Sequence, residues 1–212
     1  MPVEVLKISP EAPEKYGVRY AAGFVQRGQV VGVPTDTFYA LSADPFNLAA
    51  IEEVYALKGR PETKALPILV DSIEMAVTLT RDLPDNFLVL AHEFWPGALT
   101  LVVDATHRLP LKVTGNSGRV ALRWPNSRIV SALIGAVGGP ITGTSANLSG
   151  FPSCTNAVQI VKQLGDRLPL VLDSGDTGAI LASTIVAVRG DDWSVVREGA
   201  VSEEEIHKAL AS

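Results

Sequence analysis

Short apolar runs rich in β-branched residues recur along this 212-residue chain, each bounded by Gly, Pro or Asp. That is the pattern of short, largely buried strands. The runs are Val30–Val33, Leu66–Val70, Leu99–Val103, Val120–Arg123, Ile141–Thr144, Leu170–Leu172, Thr184–Val188 and Ser194–Val196, with a further short strand around Val3–Ile8. Between many of them the apolar spacing changes to three and four, the helical period. Those segments are Tyr16–Gln26, Leu48–Leu57, Ser72–Thr80, Asp85–Phe94, Arg128–Ala136 and Thr155–Leu164. A last helix, Glu203–Ala211, follows Ser202 with Glu205 three residues on, a capping-box start. Strands alternating with helices predict an α/β fold. The later strands lie closer together, so the expected sheet is mixed, twisted and flanked by helices. No repeat, low-complexity tract or Pro/Gly/Ser linker divides the chain, and the expectation is one domain over residues 1–212.

Composition narrows the classes. Hydrophobic residues make up 47% and charged residues 19%, a globular rather than a disordered balance. No apolar run approaches the roughly 20 residues of a membrane span. The opening "MPVEVLKISPEAPEKYG" has no basic segment followed by an apolar core, so neither signal peptide nor membrane association is expected. The one cysteine, Cys154, rules out a disulfide framework and a cysteine zinc site, and a cytoplasmic setting is the default. The formal net charge of −5 argues against a dedicated nucleic-acid binder, though not against a local cationic pocket.

Polar residues collect after four of the predicted elements. Thr35-Asp36-Thr37 follows Val30–Val33, and "KGRPETKAL", with Lys58, Arg60 and Lys64, follows Leu48–Leu57. Arg123 ends its strand, and "TGTSANLSG", Thr142 to Gly150, follows Ile141. Each has a plain structural explanation. Thr and Asp cap helices, cations suit a helix C-terminus, Ser, Asn and Gly favour turns, and Arg197 could be a surface charge. Together, at the strand ends where open α/β sheets bind ligands, they would form a polar, cation-lined pocket. No phosphate-binding glycine loop, dinucleotide fingerprint or zinc helix is present. "GTSAN" around Ser145 lacks the closing Gly of a nucleophile elbow, the three His residues are scattered, and nothing near Cys154 marks it as a nucleophile. The residues therefore point to binding and electrostatic stabilisation rather than a catalytic triad. On their own they reach an anion-binding pocket, with a nucleotide as one candidate occupant.

The segments "VPTDTFYAL", "KGRP", "FWPGALTLV", "VALRWP", "TSANLSG" and "VVREGAV", in this order and spacing, resemble the YrdC family, the threonylcarbamoyl-AMP synthases. The resemblance runs from about Val30 to Val201. It implies a YrdC-like α/β fold with a positively lined cavity, of the short single-domain type. The implied reaction makes L-threonylcarbamoyladenylate and pyrophosphate from L-threonine, bicarbonate and ATP, with Mg²⁺ accompanying the nucleotide. A downstream transferase complex then modifies adenosine 37 of tRNA. The family's Lys-x-Arg and Ser-x-Asn signature is present as Lys58, Arg60, Ser145 and Asn147. Lys58 and Arg60 are the implied catalytic cations, acting on the phosphates. Thr35, Arg123, Gly143 and Ser183 match threonine contacts, with Arg123 on the carboxylate. Lys58, Arg60, Ser145, Asn147, Ser153 and Arg197 match nucleotide contacts. No protein metal ligand and no tight cofactor is implied, and a monomer is expected. Four positions depart from the family pattern: Leu69 replaces a frequent His, Ala182 stands in "AST", Arg119 replaces a Thr, and Ala40 stands where Gly is usual. The alternatives are an RNA-binding maturation module, with tRNA bound weakly, and a YciO-like paralogue acting on a related adenylate.

Overall fold

The structure, a computed structural model, describes residues 2–211. Its strands are β1 (Glu4–Lys7), β2 (Val31–Val33), β3 (Ala40–Ser42), β4 (Ile68–Leu69), β5 (Leu99–Asp104), β6 (Arg119–Arg123), β7 (Ile141–Thr142), β8 (Thr144–Ser145), β9 (Leu170–Asp173), β10 (Thr184–Arg189) and β11 (Asp192–Arg197). The helices are α1 (Lys15–Gln26), α2 (Leu48–Lys58), α3 (Ile73–Thr78), α4 (Asp85–Phe94), α5 (Arg128–Val137), α6 (Ala157–Leu164) and α7 (Glu203–Leu210). The α/β class and the mixed pairing are as expected. The strands, however, divide into two sheets, with orders β1-β9-β2-β3-β8 and β11-β10-β5-β6-β4-β7. Both mix parallel and antiparallel neighbours.

Local chemistry sets the boundaries. Asn47 starts α2 by accepting the Ala50 N–H, and Gly59 ends it in the left-handed region at φ 57°. Ser202 and Glu205 form the capping box foreseen for α7. Ladder pairing in Leu66–Val70 shrinks to two residues, because Pro67 has no N–H to give. Leu66 and Val70 send their N–H groups instead to Val113 and Arg123. β3 has no counterpart among the predicted strands.

Apolar residues of α1 and α5, such as Val25 and Leu133, pack on Val31, Val33, Leu170 and Leu172 of the first sheet. A larger core joins Leu41, Ile51, Leu57, Leu101, Leu122, Phe87 and Leu90, all nearly inaccessible to solvent. Fixing both sheets in this way makes their junction rigid. That junction is where the chain crosses over. Ile141 and Thr142 pair with β4 of the second sheet, and Thr144 and Ser145 pair with β3 of the first. The expected strand Ile141–Thr144 is thus two strands divided at Gly143. The fully buried Thr142 reinforces the seam. Its hydroxyl donates to the Leu41 carbonyl at 3.0 Å and accepts the Ala43 N–H at 3.0 Å. No helix among the described residues is long and apolar enough to cross a membrane.

Candidate anion-binding site at the sheet junction

A cleft of about 490 Å³ opens at this seam, within the size range of small-molecule sites. Five cations line it, Lys58, Arg60, Lys64, Arg123 and Arg197, and no Asp or Glu among the described residues does. All ten residues singled out from the sequence border this one cleft: Thr35, Lys58, Arg60, Arg123 and Gly143, and equally Ser145, Asn147, Ser153, Ser183 and Arg197.

Thr35 and its neighbours do not cap a helix. The chain turns and continues into β3, so the capping reading is replaced by a side-chain turn. Thr35 Oγ1 accepts the Thr37 N–H at 3.0 Å and donates to the Phe38 carbonyl at 2.7 Å. Asp36 instead pairs with Arg123. The Arg123 side chain, 8% exposed, also donates Nη1 to Thr37 Oγ1 at 2.8 Å and Nε to the Gly97 carbonyl at 3.0 Å. Burial lowers its pKa while the Asp36 carboxylate opposes that shift.

Lys58 is not the solvated helix-end charge that its segment alone suggests. It is 3% exposed, and its ammonium donates to the Ser145 carbonyl, to the Asn147 carbonyl at 3.0 Å and, more loosely, to Asn147 Oδ1 at 3.4 Å. Burial, with Arg60 adding like-charge repulsion, lowers it to about 8. Asn147 is held in turn, since its amide donates to the Leu148 and Phe151 carbonyls and its Oδ1 accepts from Ser145 Oγ. Arg60, one residue beyond the Gly59 cap, donates to Thr144 Oγ1 at 3.2 Å and to the Lys64 and Ala65 carbonyls at 2.9 and 3.0 Å. Its Nε is buried and has no hydrogen-bond partner.

On the opposite wall, Ser183 Oγ lies 2.8 Å from Thr100 Oγ1 and the Ser183 carbonyl accepts from Arg197 at 2.6 Å. Leu69 and Ala182 also line the cleft. Arg119 does not, being turned to the Val102 and Val188 carbonyls of its own sheet. A Cβ on Gly143 would collide with the Leu69 side chain. Cys154 is buried and its thiol pushed up to about 11, mainly by burial, which leaves it inert as a nucleophile. Thr100 and Thr144 are lining residues that the sequence reading did not single out. The signal for Thr100 was a hydroxyl inside an apolar run, and Thr144 lay within the polar segment Thr142 to Gly150.

The arrangement can grip two anionic groups at once, one near Arg123 and one near Arg60, with hydroxyls and an amide between them. Among the described residues no group of three or more His, Cys, Asp or Glu could hold a metal ion.

Known proteins resemble this chain over most of its length. The Sua5/YciO/YrdC family model, described as "Telomere recombination", matches residues 23–199. Threonylcarbamoyl-AMP synthases of Pyrococcus abyssi and Bacillus subtilis are each 34% identical, over 94% and 91% of this chain. The matched regions span 59% and 56% of those two relatives' own lengths. A Mycobacterium tuberculosis relative is 37% identical over 92% of this chain and 89% of its own. The structure of P. abyssi Sua5 complexed with L-threonine superposes with a TM-score of 0.93 at 33% identity, covering 97% of this chain and 60% of that one. Escherichia coli YciO shares the fold, with a TM-score of 0.88 at 22% identity over 96% of this chain and 99% of its own. With more than half its residues matched by one family model, and a cleft assembled from the segments that model spans, the chain belongs to the Sua5/YciO/YrdC family.

Proposed function

We propose that the cleft forms L-threonylcarbamoyladenylate and pyrophosphate from L-threonine, bicarbonate and ATP. The observation that carries this reading is the convergence of cations and small polar groups on one acid-free cleft at the sheet junction. Arg123 is the group for the amino-acid carboxylate, because a guanidinium holds a carboxylate at two points. Arg60 and Arg197, which line the cleft, are the groups for the nucleotide phosphates. Ser145 and Asn147, fixed by Lys58, complete the nucleotide side; Lys58 then acts chiefly by holding that loop. The threonine amine and bicarbonate give a carbamate and water. A carbamate oxygen attacks the α-phosphate and pyrophosphate leaves. The cleft's contribution is to hold the two anions together and offset their charge, which needs no protein nucleophile.

The lining is unsuited to a protein-held divalent ion, since it offers no carboxylate. Mg²⁺ would enter as part of the ATP complex, ligated by phosphate oxygens. We place the product upstream of a transferase that acts on tRNA adenosine 37, in the cytoplasm, and take the working unit as a monomer.

The test is pyrophosphate release with Mg²⁺ and ATP, omitting L-threonine and bicarbonate in turn, with mass detection of the adenylate. Release should require both, and Arg60→Ala should abolish most of it. Release without threonine, or full activity in Arg60→Ala, would refute the assignment.

A further inference from the structure

Asp36 stands between two cleft-lining threonines without lining the cleft itself. Its side chain is 17% exposed and its carboxylate pairs with the guanidinium of Arg123. Arg123 has five N–H donors. Three are fixed, one each by Asp36, Thr37 and the Gly97 carbonyl. The first two acceptors come from the turn after β2 and the third from the turn before β5. Gly97 is itself tied down, its N–H donating to the Trp124 carbonyl at 2.8 Å. Two donors remain for whatever enters the cleft. Of the three acceptors only Asp36 is charged, so its bond is the strongest. It also supplies negative charge that balances Arg123 against the like charge of Arg197.

We propose that Asp36 is a positioning residue: from behind the cleft wall it aims the two remaining Arg123 donors at the substrate carboxylate, and so sets amino-acid affinity without touching substrate. This rests on the proposed reading of the cleft. A guanidinium that has lost its one charged anchor samples other rotamers, and a misplaced clamp weakens the ligand it faces.

The experiment compares wild type with Asp36→Asn, which keeps the shape and one acceptor oxygen but removes the charge. The expected result is a KM for L-threonine raised about 10- to 100-fold. The KM for ATP should stay near wild type, while the melting temperature falls because Arg123 is left buried without its counter-charge, and Asp36→Glu should recover part of both losses. Equal changes in both KM values would mean that the ion pair merely supports the fold, and no change would mean that Arg123 is held without it. Either would overturn the proposal. A second readout needs no turnover. The Arg123 Nε–H resonance, assigned by its disappearance in Arg123→Lys, should be slow to exchange in the free wild-type protein and fast in Asp36→Asn. Unchanged protection overturns the positioning role whatever the cleft's reaction, whereas altered protection with no threonine-dependent turnover in wild type would leave Asp36's role standing and reject the reaction instead.

Discussion

Three oxygens surround the Lys58 ammonium, and none belongs to a carboxylate. A protonated amine can donate to all three; a neutral one has only two N–H groups. Because burial lowers Lys58 to about 8, the free protein keeps the full clamp below that pH and loses a donor as pH rises through it. On the proposed reading, bound ATP would favour the charged form, so binding would draw a proton and affinity should fall above about pH 8, by at most about tenfold per pH unit. Calorimetric titration of ATP in two buffers of different ionisation enthalpy would show that proton uptake, and Lys58→Arg should lose it. An affinity that stays flat across this range would contradict proton uptake at Lys58. At this scale the sequence was informative about identity and silent about partners. Lys58, Arg60, Ser145 and Asn147 were visible as residues. That Lys58 serves the Ser145–Asn147 loop, and that Asp36 serves Arg123 rather than a helix N-terminus, depends on neighbours more than eighty positions away.

Among the elements, the clearest constraint falls on the crossing from β7 to β8. Gly143 passes against Leu69 so closely that any side chain would overlap it. Gly143→Ala should cost about 1–3 kcal/mol through overpacking. Combined with Leu69→Ala, which removes the obstacle, the loss should fall short of the two single losses added together by at least about 1 kcal/mol. Urea denaturation of the single and double variants measures this, and strict additivity would show that Gly143 is required for another reason. Helices were legible to within a residue or two because their signals are local: apolar spacing, and Ser202 with Glu205 before α7. β3 was not. Its three residues are all buried, so they show no alternation, and they follow a turn that mimics a helix start.

Across the whole molecule, two sheets meet along a line that Thr142 stitches with its hydroxyl, to Leu41 and Ala43, and with its N–H, to the Ala43 carbonyl. Thr142→Val keeps the volume but leaves the buried Ala43 N–H without that acceptor. The expected loss is about 1–3 kcal/mol, or several degrees in melting temperature. An unchanged thermal midpoint would show that the seam does not depend on it. Division into two sheets could not be read in advance, because pairing choices such as β2 with β9 or β4 with β6 join runs far apart in the chain and leave no mark within either run.

The acid-free wall that would draw ATP in bears equally on how the cycle ends. On the proposed reaction, pyrophosphate must leave against the field of the same five cations, and it carries more charge per atom than the adenylate it leaves behind. Product departure is then slowed by the same charge that assembles the site. A pyrophosphate-consuming activity nearby would spare this protein the rebinding of its own product without ever touching it.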